Sequence, residues 1–180
     1  MSIRDEIEML RQANILIELV PIFSVRRRRQ VYLFKDVASM VEGPWPTKAE
    51  AFRWGYVRAD LEHLIQDAWI VVPEDPRRGG SALMSLLVPP EEGVWDIRCR
   101  DPQPGIRILG CFALRDVFIG LTWEYRLPLK DFESSEWRNA ISRSKTQWNL
   151  CFWHQPFKGS YPDEYLSGAI LEGGPRPGQP

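Results

Sequence analysis

Apolar positions recur along this chain with two different periods, and the period tells which element each segment predicts. Between residues 2 and 13, Ile3, Ile7 and Leu10 fall on one side of a helical projection, with Arg4, Asp5, Glu8 and Arg11 elsewhere. That spacing predicts a short amphipathic helix. Pro44-Trp45-Pro46 leads to Thr47, and Glu50 follows three residues later, the spacing of a capping box. Phe52, Val57, Leu61, Leu64 and Ile65 then recur at helical spacing to about Gln66, opposite Arg53, Arg58, Glu62 and Gln66. A last helix is predicted after Ser134 or Ser135, with Trp137, Ile141, Ser144 and Trp148 in one stripe.

Strand signals fill the intervals. The apolar run from Ile15 to Phe23 and the run Val31 to Phe34 predict a hairpin, with the basic residues Arg26 to Arg29 between them. Trp69 to Val72 reads as a short strand, and residues 73–80 as an irregular, mobile loop rich in proline and glycine. Three β-rich runs follow, at residues 94–100, 105–112 and 117–123, separated by Asp101-Pro-Gln-Pro-Gly105 and Leu114-Arg-Asp116. An antiparallel meander is the simplest assembly, and the last two runs are apolar enough on both sides to be covered on two faces. The expected architecture is a single α+β domain over residues 1–172, a sheet meander packed by helices. A helical extension occupies residues 134–170, and residues 173–180 read as a disordered tail.

Composition narrows the function classes. The 180 residues are 44% hydrophobic with eight tryptophans, enough for a substantial core. A net charge of -1 from 23 basic and 24 acidic residues gives no global attraction to polyanions, so nucleic-acid binding requires local clustering. Cys99, Cys111 and Cys151 lack CxxC spacing and His63 and His154 stand far apart, a pattern of neither a metal site nor a disulfide framework. The charged N-terminus, MSIRDEIEMLRQ, does not read as a signal peptide, and no apolar run is long enough to span a membrane. A reducing cytoplasm is the expected setting. No phosphate-binding glycine loop is present, and no cofactor is expected.

The candidate chemistry lies in the meander. Alternation sends Trp95, Ile97 and Cys99 to one face of the first strand and Asp96, Arg98 and Arg100 to the other. Arg107 extends the second surface, and Tyr125, Arg126 and Lys130 follow where the third strand leaves the sheet. Arginine forks suit phosphate, and fixed guanidinium groups stabilise the charge that develops when a 2′-hydroxyl attacks a phosphodiester, without a metal. The alternative is that these arginines solvate an exposed face or pair with Asp96, Asp116 and Glu124. Arg26, Arg27, Arg28 and Arg29 likewise read either as a phosphate-holding patch or as a solvated turn. His154 and Cys151, in an aromatic cluster, read as packing. Trp45, Trp54, Trp137 and Trp153 suit a protein interface as well as a core.

The runs Gly93-Val-Trp-Asp-Ile-Arg-Cys-Arg, Gly105-Ile-Arg-Ile-Leu-Gly-Cys-Phe and Asp116-Val-Phe-Ile-Gly-Leu-Thr-Trp resemble the last three sheet strands of the RelE/ParE toxin superfamily. The helix beginning at Thr47 sits where such toxins have their second helix, so the resemblance covers about residues 47–130. It implies a RelE-like core and, for the RelE branch, metal-independent cleavage of mRNA on the ribosome; the ParE branch poisons DNA gyrase. It also implies an antitoxin partner. The family's basic sheet positions fall on Arg98, Arg100 and Arg107, and its C-terminal catalytic or substrate-binding positions on Tyr125, Arg126 or Lys130. Arg98, Arg107 and Arg126 would then stabilise phosphate, with Tyr125 as a stacking partner. Asp96 and Glu124 depart from the family by placing negative charge beside that site. Glu124-Tyr125-Arg126 stands where the family has a lysine pair, and the chain is nearly twice as long as a minimal toxin. Its aromatic C-terminal addition is able to cover the sheet face that a toxin leaves open. A second expectation is therefore a non-enzymatic module of the same or a similar fold that binds a protein, in a mobile-element or defence setting. Arginines converging on one open face favour RNA; arginines buried under the C-terminal helix favour protein interaction.

Overall fold

Pairing of the apolar runs produces one central sheet, seen in a computed structural model that describes residues 1–77 and 80–174. The chain runs α1 (Ile3–Gln12), β1 (Leu16–Glu18), β2 (Gln30–Phe34), α2 (Lys35–Glu42), α3 (Lys48–Ile65) and β3 (Ile70–Val72). It continues through β4 (Met84–Leu86), β5 (Trp95–Cys99), β6 (Ile106–Leu114), β7 (Val117–Tyr125), α4 (Ser135–Cys151), α5 (Pro162–Tyr165) and β8 (Ala169–Leu171). The tail expected over residues 173–180 falls largely outside the described residues, as do residues 78 and 79 of the 73–80 loop.

The expected meander forms: β5, β6 and β7 pair antiparallel, with Arg98 opposite Arg107 and Arg107 opposite Glu124. Two further strands extend it, β4 antiparallel on β5 and β2 parallel on β7, and β1 closes the order β1-β2-β7-β6-β5-β4. The hairpin expected near the N-terminus is present, with Leu16 opposite Phe34. A bulge between Leu109 and Gly110 lets β6 and β7 approach so closely that a Cβ at Gly110 would stand 2.1 Å from the Ile119 carbonyl oxygen. Only glycine fits there.

Both faces of the sheet are covered, as the apolar runs of β6 and β7 require. Ile97, Ile108 and Trp123 share one face, where Trp54 of α3 meets Trp123 edge to face at 5.0 Å and α2 packs beside α3. On the opposite face the Thr122 and Ser144 hydroxyls lie 2.6 Å apart, which fixes α4 against β7. α1 covers the other end of that face, joined to the α4 exit by the buried Glu6 carboxylate, which accepts from the Trp153 amide at 3.1 Å and pairs with His154. The stripe Trp137, Ile141, Ser144 and Trp148 is buried throughout. β3 and β8 form a separate two-stranded parallel sheet.

Some expectations are corrected. Phe52 is 59% exposed, and Trp54 takes its place in the core at 0%. Thr47 caps α3 by accepting from the Glu50 amide at 3.2 Å, but the Glu50 carboxylate turns away to Arg53, to the Trp54 indole and to the Tyr125 hydroxyl. The capping box is thus half formed. Glu62, read as solvent-facing, is buried and accepts from the Ile22 amide at 3.1 Å and from Arg58 at 2.8 Å.

Candidate functional site

The polar face of β5 is an internal charge network. Ser85 of β4 lies opposite Asp96, and its hydroxyl donates to Asp96 Oδ1 at 2.6 Å. Arg98, two residues on, donates from Nε to both carboxylate oxygens at 3.3 Å and from Nη2 to Ser85 Oγ and the Pro76 carbonyl, each at 2.6 Å. Arg107 brings its Nε to 3.3 Å from Asp96 Oδ2 and donates from Nη1 to the Ile106 carbonyl at 3.1 Å. Asp96 is fully buried, and Arg98 and Arg107 are 4% and 8% exposed. Desolvation lowers the Arg107 pKa to about 10 against the opposing pull of Asp96. The expectation that these arginines pair with Asp96 holds, but the face is not a solvated one. Phe132 lies within 5.9 Å of the Arg98 guanidinium, and Trp137 of α4 stacks on Phe132 at 4.7 Å, so the segment entering α4 roofs the network.

The other site candidates diverge from it. Tyr125 belongs to the Trp123 face, donates to Glu50 Oε2 at 3.2 Å and carries Arg53 over its ring at 5.5 Å. Tyr125 and Arg98 therefore stand on opposite faces of the sheet, because they differ in strand parity across the β5-β6-β7 register. Arg126 is half-buried beneath the turn that follows β7, against Phe132 and Trp137 at 5.8 Å, and donates to the Lys130 carbonyl at 2.7 Å. Lys130 itself is exposed and paired with Glu136, and that bond holds the Glu136 carboxyl down at about 2. Arg100 is half-buried and donates to the Ala82 carbonyl at 2.7 Å, with burial lowering its pKa.

The basic run also divides. Arg26 and Arg28 are exposed and pair with Asp67 at 3.4 and 2.8 Å, and Arg27 approaches Glu18 at 3.8 Å. Arg29 points inward, against the expectation of a solvated turn. It donates to the carbonyls of Leu64, Gln66 and Ala68 at 3.0, 2.8 and 2.8 Å and to that of Ser167, with Asp116 3.8 Å away. Two of those acceptors belong to the last turn and cap of α3, where unpaired carbonyls accumulate and a cation is favoured.

The thiols are held protonated: burial pushes Cys111 to about 12 and Cys99 well above its usual range, the latter beside Asp60, and it also raises Cys151. Thiolate chemistry is disfavoured at all three. Among the described residues no cluster of histidine, cysteine and carboxylate side chains has the arrangement of a metal site, and no helix is long and apolar enough to cross a membrane.

One well-formed cavity lies elsewhere, at the end of the edge strand β4. It encloses about 360 Å3 and is walled by Pro73, Pro90, Trp95, Tyr161 and Tyr165, with Glu74 among its lining. Trp95 and Tyr165 are buried and meet edge to face at 4.9 Å, whereas Tyr161 is 67% exposed at the mouth. The Tyr165 hydroxyl is taken by the Gly159 carbonyl at 3.0 Å, but the Trp95 indole N–H is buried with no hydrogen-bond partner among the described residues. A buried donor left in that condition costs about 1–3 kcal/mol. Strand periodicity places Trp95 on one face of β5 and carries no sign of a cavity. Its role as a cavity wall depends on residues 72–76, 86–90 and 160–171 converging, which no local pattern announces.

No family model, no curated protein and no solved structure matches this chain.

Proposed function

We propose that the chain is a non-enzymatic protein-binding module. The observation that carries this reading is the internal placement of Arg98 and Arg107, whose charges are directed at the buried Asp96 and Ser85 under the roof of Phe132 and Trp137. Guanidinium groups stabilise a phosphorane-like transition state only when they face the substrate, and a pair turned on Asp96 inside the protein has no reach to it. Tyr125, on the opposite face, does not join them in one site. Large exposed side chains favour an interface instead: Phe23, Leu127, Leu150, Trp153 and Tyr161 are each more than half exposed.

The test is a photo-crosslinking amino acid at position 161 in cells, combined with wild-type induction and inspection of mRNA. The reading expects a polypeptide adduct that survives ribonuclease and is destroyed by protease, with growth and mRNA intact. Growth arrest with cleaved mRNA in the wild type, lost on replacing the surface residue Lys130 by Ala, would overturn it and restore the RelE-like ribonuclease.

A further inference from the structure

We propose that the cavity walled by Trp95, Tyr161 and Tyr165 takes an extended, proline-containing peptide with a flanking basic residue, so that this pocket is the recognition site of the binding module inferred above. The inference rests on that reading and names the chemistry of the partner.

Three features of the site select this occupant. Its walls are aromatic rings and prolines, and such surfaces pack against pyrrolidine rings without requiring the ligand to bring hydrogen-bonding side chains. The volume of about 360 Å3 is that of a small ligand site, and it lies beside Leu86, the last residue of β4, and Leu87 after it, so a chain running along the sheet edge enters it end on. Trp95, 1% exposed, and Tyr165 meet edge to face at 4.9 Å and form a rigid aromatic wall against which a pyrrolidine ring packs. A polyproline II segment has no internal hydrogen bonds, so it breaks none when it lies along such a wall.

Charge sets the flank. Glu74 is an exposed residue of the lining, exposed Glu91 and Asp163 directly follow the lining residues Pro90 and Pro162 in sequence, and the exposed Arg77 that follows Pro76 is paired with Asp75 at 3.4 Å. An arginine or lysine next to the proline of the ligand faces this acidic margin, while an acidic neighbour is repelled by it.

The experiment uses the full chain labelled with nitrogen-15 and the synthetic peptide Ac-Pro-Pro-Arg-Pro-Pro-NH2 as probe. The Trp95 indole signal is assigned with Trp95→Phe or, where that variant does not fold, by contacts to the Tyr165 ring. The expected result is a saturable shift of this indole signal, larger than that of the other seven. Tyr161→Ala, at a surface position, weakens binding at least tenfold with an unchanged melting temperature, and Glu74→Lys weakens the arginine peptide but not its all-proline analogue. No shift at millimolar peptide overturns the proposal, as does an equal shift with a glycine-serine peptide of the same length. Binding seen only after removal of residues 175–180 also overturns it, by assigning the cavity to the proline-containing end of the chain itself. A failed titration accompanied by a polypeptide adduct from position 161 sinks this ligand and leaves the binding module standing; a failed titration with cleaved mRNA removes both.

Discussion

At the scale of single residues, Asp60 carries a measurable pH signature. It sits on α3 with its carboxyl against the Cys99 thiol, and desolvation raises its pKa above the ordinary 3.8, with the thiol bond and nearby basic groups pulling the other way. Below pH 3.8 the carboxyl is neutral in the folded and unfolded chains alike, and its burial carries no ionisation penalty. As pH rises toward the folded pKa, the unfolded chain has already released its proton while the folded chain retains it, so stability falls through that window and then levels. Asp60→Asn removes this term. Melting temperatures measured across acidic to neutral pH should therefore show the variant gaining on the wild type as pH rises, with the two converging at the acid end. Nothing in the sequence distinguishes Asp60 from the other carboxylates of α3: its neighbour Cys99 comes from β5, 39 positions away in the numbering.

At the scale of elements, the Asp96, Arg98 and Arg107 network shows what strand periodicity does and does not convey. Alternation sorted the side chains of β5 to the correct two faces, because a period of two is a property of the backbone. It did not say which face meets water, since polar residues ordinarily mark the solvent side and here Ser85, Phe132 and Trp137 close over them. β4 and β8, at three residues each, are too short to show a period at all, and α2 follows β2 without a capping side chain to mark its start. The buried charges also have a consequence for stability. Asp96→Asn leaves two guanidinium groups uncompensated and should lower stability by about 3–5 kcal/mol in urea unfolding. The combined change Asp96→Leu, Arg98→Met, Arg107→Met removes all three charges at similar volume and should recover most of that loss, since a buried ionic cluster is often no more stable than a packed apolar one. Equal destabilisation of both variants would show that the network contributes more than mutual neutralisation.

At the scale of the whole molecule, Arg29 joins parts of the chain that are remote in sequence. One planar fork holds the end of α3, the approach to β3 and the Ser167 turn before β8. Arg29→Ala strands these carbonyls in the interior and should cost about 3–5 kcal/mol in denaturant unfolding. Arg29→Lys should rescue little, because an ammonium does not reproduce the fork, whereas Arg26→Ala at the surface should stay within about 0.5 kcal/mol of wild type. The parallel pairing of β2 with β7 has a further consequence, for synthesis of the protein. Val31 and Leu33 emerge from the ribosome early, but the strand they pair with ends at Tyr125, so residues 35–116 must be made before β2 has a neighbour on that side. Translation thus delivers β2 with only β1 to pair with, its other edge exposed to chaperones and to other nascent chains until the centre of the sheet arrives. A message broken or stalled between those points yields a fragment whose hairpin keeps one apolar edge open.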